Sequence, residues 1–142
     1  MGEPFWECEH AEETDASPAF AWSYWTDIRD WSDPPAEFSL DGAFAEGVHG
    51  TTRMPGQPPF HWVIGKVGPG TCARIDGSLE GASMYVTMTF EAVANGRTKI
   101  TQRIELTGDN AAAYREVGEM FEANQPAGLK KLAAAMATAE QK

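Results

Sequence analysis

The C-terminal helical pattern constrains the fold most. A strand-like run from Thr98 to Leu106 ends at Thr107-Gly108-Asp109, and a helical pattern then continues almost to the C-terminus. Its apolar stripe reads Tyr114, Val117, Phe121, then Leu129, Leu132, Met136, with Pro126 and Gly128 between the two halves. A helix of this length needs a large apolar surface to lie on, because tertiary packing supplies most helical stability. The preceding strands can supply that surface, and sheet and helix either pack solidly or enclose a cavity.

The strands are legible from alternation and turn chemistry. Met84, Val86, Met88 and Phe90 share one face of a run, with Tyr85, Thr87, Thr89 and Glu91 on the other. Across Asn95-Gly96, a strong hairpin signal, Thr98, Ile100, Gln102, Ile104 and Leu106 face inward. Such alternation predicts a sheet covered on one side and solvated on the other. Further strands are expected at Phe5–Glu13, Phe38–Leu40, Val48–Met54, Phe60–Val67 and Thr71–Leu79, with short loops that favour antiparallel neighbours. Ser17-Pro18 opens a short helix carrying Phe20, Trp22, Tyr24 and Trp25, since Ser caps and Pro suits the first turn. A second short turn is expected over Asp27–Trp31, ended by Pro34-Pro35. The order predicts an α+β fold: a curved antiparallel sheet of about six to seven strands wrapped around one long helix.

Composition narrows the function classes. The chain has 142 residues, enough for one domain (1–142) with a fair-sized core. Apolar residues make up 42%, including five Trp and seven Phe, which argues against disorder. The net charge of -10 and the absence of a basic stripe make nucleic acid an unsuitable partner. No run of 18 apolar residues and no signal peptide is apparent, and Trp6 stands where a myristoylation signal needs Ser or Thr. Cys8 and Cys72 have no CxxC spacing, so a disulfide scaffold is not expected and a cytoplasmic setting is. An N-terminal edge strand leaves both monomer and homodimer open.

These pieces, in this order, resemble the START-related SRPBCC superfamily, in its polyketide cyclase/dehydrase and lipid-transport branch. The resemblance rests on Ala16-Ser17-Pro18 entering a Trp-containing helix, on Asp27 to Trp31, and on Asp41-Gly42 with Gly47. It extends to Gly81, to Asn95-Gly96-Arg97-Thr98, and to Gly128-Leu129 with Leu132. It implies a helix-grip fold with a cavity for a hydrophobic molecule between sheet and C-terminal helix. Members bind lipids, sterols, polyketides or plant hormones, and some cyclise or dehydrate their ligand. Fold alone does not fix which.

The ligand-binding candidates are Trp22, Trp25, Trp62, Ile64, Met84, Met88, Phe90, Gln102 and Phe121. Apolar walls with a few polar groups are what such a cavity needs, and Met adapts to irregular volumes; ordinary core filling explains the same residues. Gln102 is the sharpest polar candidate, because a buried amide must find a partner in a ligand, a water or the backbone. Arg74 and Asp76 form either an exposed pair or, in the reverse register, a buried one at the pocket. His10, His49 and His61 make no metal-binding spacing, so no metal is expected. No Gly-x-Ser-x-Gly nucleophile and no phosphate-binding glycine loop is present, so no cofactor is expected. Pro126 is expected to bend the helix, so that its first half borders the ligand, with Asn124 and Gln125 as polar lining, and its second half anchors on the sheet. The readings kept open are binding of a small hydrophobic ligand, a cyclase or dehydratase using the same cavity, and a protein-interaction module.

Overall fold

The computed structural model describes residues 5–31 and 35–141. The Met1-Gly2-Glu3-Pro4 segment and Pro34 lie outside the described residues. The described residues form seven strands: β1 (Trp6–Thr14), β2 (Glu37–Leu40), β3 (His49–Arg53), β4 (Phe60–Gly68), β5 (Cys72–Leu79), β6 (Ala82–Ala92) and β7 (Thr98–Thr107). They form one antiparallel sheet in the order β1-β7-β6-β5-β4-β3-β2. The helices are α1 (Pro18–Trp25) and α2 (Arg115–Glu140), with a 3-10 turn at Ile28–Asp30. This is the helix-grip arrangement expected from the order of elements.

Local chemistry sets the boundaries. The Ser17 hydroxyl accepts from the Phe20 N–H at 3.3 Å and Pro18 occupies the first turn of α1. Ser17 also donates from its N–H and hydroxyl to the Glu140 carboxylate, at 2.9 and 2.8 Å, tying the start of α1 to the end of α2. At the β6–β7 hairpin, Asn95 (φ 64°) and Gly96 (φ 73°) take the left-handed conformation that this dipeptide tolerates.

The inward face of the sheet follows the expected register. Met84, Met88 and Phe90 on β6, and Thr98, Ile100, Ile104 and Leu106 on β7, are buried. One cluster joins Ala21 and Trp25 of α1 to Met88, Phe90 and Ile100 of the sheet and Leu129 and Met136 of α2. A second joins Trp6, Cys8, Met84, Ile104 and Leu106 at the opposite end. The Thr14 hydroxyl donates to the Ala133 carbonyl at 2.7 Å, and the Thr98 hydroxyl to the Ala16 carbonyl at 2.8 Å. These two paired threonines satisfy buried polar groups, Thr14 fixing α2 against the edge strand and Thr98 fixing the segment that enters α1.

The closing helix departs from the sequence reading. It runs through Pro126 as a single helix from Arg115 to Glu140. Its buried face is Gly118, Gln125, Leu129, Ala133 and Met136, so the far half of the expected apolar stripe is buried through Leu129 and Met136 while the near half is not. Val117, Met120 and Phe121 are exposed, Phe121 at 38%. The reason lies in Trp6: a Cβ at position 118 would come within 2.9 Å of its ring. The near half of α2 approaches the sheet through a glycine and an amide, so a bulky side chain has no room on that face.

Candidate functional site

Between sheet and helix lies a cavity, open to solvent on one side, of about 400 Å³. Its floor is Ile75 of β5, Val86 of β6 and Gln102 of β7, which three adjacent strands bring together. Its roof is the far half of α2, through Gly128, Lys131, Leu132 and Ala135. One wall is Tyr24 and Trp25 from the end of α1 with Asp30 and Trp31 from the following turn, and Phe38 of β2 closes the side.

The aromatic wall is braced. The Trp31 indole N–H donates to the Trp25 carbonyl at 2.6 Å, and the two rings lie 5.9 Å apart. Trp31 meets Phe38 edge-on at 5.5 Å and stacks on Trp62 at 5.6 Å with 26° between planes. Trp62 donates its own indole N–H to the Thr52 hydroxyl at 3.0 Å. It lies flat over β3 because position 50 is glycine, where a Cβ would sit 2.3 Å from its ring.

Ionisable groups stand at the same wall. Burial pushes the Asp30 carboxyl above its ordinary value, the nearby Asp27 charge adds to this, and Arg29 opposes it. Burial, followed by the Asp30 charge, raises the Tyr24 phenol. Asp27 accepts from the Arg29 backbone N–H and from its guanidinium, at 3.0, 2.9 and 2.7 Å. Those hydrogen bonds hold its pKa down at about 2.

Gln102 is held from above. Gln125 Nε2 donates to the Gln102 main-chain oxygen at 2.9 Å and to its side-chain oxygen at 3.1 Å. The Cys8 thiol donates to Gln125 Oε1 at 3.5 Å. The polar bridge therefore joins β1, α2 and β7 beside the cavity.

Of the nine candidates, Trp25 and Gln102 line this cavity. Trp22, Met88 and Phe90 belong to the first core cluster and Met84 to the second. Ile64 is fully buried, and Trp62 backs Trp31. Phe121 lies on the exposed face of α2, away from the cavity, and the cavity runs along the far half of the helix rather than the near half. Asn124 is exposed, whereas Gln125 is buried. Tyr24, Asp30, Trp31 and Lys131 were missed. The signal for the roof was Gly128, Leu132 and Ala135, spaced by four and three on one helical face.

Other candidates resolve elsewhere. Arg74 and Asp76 form a two-point ion pair on the outer face, at 2.6 and 2.8 Å, with the guanidinium 4.7 Å from the Tyr85 ring centre. His49 and His61 are exposed, and His10 bonds Glu12 at 2.8 Å. No group of three or more metal-ligating side chains occurs among the described residues. Cys8 and Cys72 are both free thiols. No helix among the described residues is long and apolar enough to cross a membrane.

The family described as "Polyketide cyclase / dehydrase and lipid transport" matches residues 6–137. No protein of curated function matches the sequence significantly. Among solved structures, norcoclaurine synthase from Thalictrum flavum, in complex with dopamine and hydroxybenzaldehyde, superposes with a TM-score of 0.72 at 14% identity, covering 96% of this chain and 88% of that one. Protein NE0264 from Nitrosomonas europaea gives 0.74 at 10% identity, covering 96% and 97%. Protein Ms6760 from Mycobacterium smegmatis gives 0.65 at 19%, covering 94% and 92%. At these identities the likeness establishes the helix-grip fold and no substrate. A match over residues 6–137, carried on that fold, places the chain in the polyketide cyclase / dehydrase and lipid transport family.

Proposed function

We propose that this protein binds a small hydrophobic molecule, lipid-like or polyketide-like, in the cavity beneath the far half of α2. One observation carries the reading: a cavity of about 400 Å³ walled by Tyr24, Trp25, Trp31 and Phe38 and floored by Ile75, Val86 and Gln102. That volume is in the range of drug-sized ligand sites, and a largely apolar concave lining with a few polar groups, here Tyr24, Asp30, Gln102 and Lys131, is their usual make-up. Aromatic walls supply large contact area at low entropic cost. Mass spectrometry of small molecules extracted from natively purified protein tests the reading. A defined apolar guest at stoichiometric level supports it, and protein that is consistently empty and takes up no apolar probe contradicts it.

A second reading, an enzyme of the cyclase or dehydratase type in the same cavity, is favoured by Tyr24 and Asp30. Both are acids whose protonated forms burial favours at the cavity wall. They would protonate or polarise a carbonyl of a guest held in reactive geometry. Conversion of the extracted guest by the wild type, and its loss in Asp30→Asn, would select this reading.

A further inference from the structure

Gln102 enters the cavity with a fixed polarity. The Gln125 side chain, on a residue 6% exposed, faces the Gln102 main-chain oxygen at 2.9 Å. A main-chain carbonyl only accepts, so the atom of Gln125 that faces it is nitrogen. Its oxygen then faces Cys8 Sγ at 3.5 Å, where a thiol donates. Burial, and after it the Glu122 charge, push the Cys8 thiol up, which keeps its proton on sulfur. The same Gln125 nitrogen stands 3.1 Å from the Gln102 amide, which must therefore present oxygen to it. The Gln102 Nε2 is turned the other way. It has no hydrogen-bond partner among the described residues, yet no sealed side-chain nitrogen or oxygen among them lacks a partner. This nitrogen consequently borders open space, and Gln102 is a lining residue of the cavity.

We infer that Gln125 is a positioning residue that holds Gln102 with its amide N–H toward the cavity, so that the site selects hydrophobic guests carrying a carbonyl oxygen at their inner end. The inference rests on the ligand-binding reading above and deepens it. A donor with no protein partner gains most from an acceptor brought in by the guest, and an acceptor-free guest of equal shape leaves it unpaired.

The test uses two uncharged fluorophores of one shape: 6-propionyl-2-dimethylaminonaphthalene and its propyl analogue, which lacks the carbonyl. Wild type is expected to bind the ketone about five-fold tighter than the analogue. The ketone stretch, followed by infrared with a ¹³C-labelled carbonyl, is expected to fall to a single lowered band. Gln102→Leu should erase the preference. Gln125→Met, which frees the Gln102 amide to rotate, should broaden the carbonyl band and shrink the preference. That spectral change would not follow from a merely structural role. Equal binding of both probes by wild type, or a preference that survives Gln102→Leu, overturns this inference alone. Binding of neither probe overturns the cavity reading and this inference with it. Should Gln102→Leu not fold, the wild-type ratio and carbonyl band decide.

Discussion

The Trp31 indole N–H reaches back across the turn that follows α1 to the Trp25 carbonyl, 2.6 Å away. That carbonyl lies in the last turn of α1, where main-chain oxygens lack helical partners. The bond therefore closes the helix and locks one cavity wall at once. Trp31→Phe keeps an aromatic ring but removes the donor. It is expected to cost about 0.5–1.5 kcal/mol of stability, read as a lower urea midpoint with unchanged slope, and to weaken binding of an apolar probe.

Trp62 lies over Gly50, and a Cβ there would meet the indole at 2.3 Å. Gly50→Ala must displace Trp62 from its stack on Trp31. A cost of about 1–3 kcal/mol is expected from overpacking, with a changed near-ultraviolet circular dichroism spectrum. Unchanged aromatic signals would show that the strand absorbs the methyl group elsewhere.

The two halves of α2 should respond oppositely to truncation. Leu129 is 3% exposed and Met136 fully buried, so alanine at either is expected to cost about 2–5 kcal/mol in denaturant unfolding. Phe121→Ala, on the exposed face, should fall within about 1 kcal/mol of wild type.

That contrast marks where sequence reading succeeded and where it failed. Strand faces were legible because period-two alternation and Asn95-Gly96 state register directly, and Gln102 was found on the inward face for that reason. In the near half of α2 the pattern misleads, because hydrophobicity there does not coincide with burial. Gly118 and Gln125 carry that face, and only the Trp6 ring lying against Gly118 explains why. Trp31, Phe38 and Lys131 come from separate elements, and no local pattern records that they border one space. Most of the large candidates fill core, as Met88 and Phe90 do, because the cavity occupies only the volume that the clusters leave.

Acid should act through Asp27. Its folded-state pKa, held at about 2 chiefly by the Arg29 side-chain hydrogen bonds, lies below the unfolded value of about 3.9. Its contribution is thus fully present above the unfolded value and lost as pH falls through about 2. Carboxyl-carbon NMR titration should give that low midpoint in wild type and a higher one in Arg29→Gln, still below the unfolded value because the main-chain N–H of residue 29 keeps its bond to Asp27. Asp30 has the opposite sign: its raised pKa makes stability fall as pH rises through the window above the unfolded value. Asp30→Asn should remove that decline.

Occupancy of the cavity under the far half of α2 is the central claim, and a titration with N-phenyl-1-naphthylamine across three proteins addresses it most directly. Ala135 lines the cavity and Phe121 does not. Ala135→Phe, which fills the space, should weaken the probe by about ten-fold or more, while Phe121→Ala leaves it within about two-fold. Unaltered affinity in Ala135→Phe together with loss in Phe121→Ala would place the ligand on the other half of the helix and contradict the account.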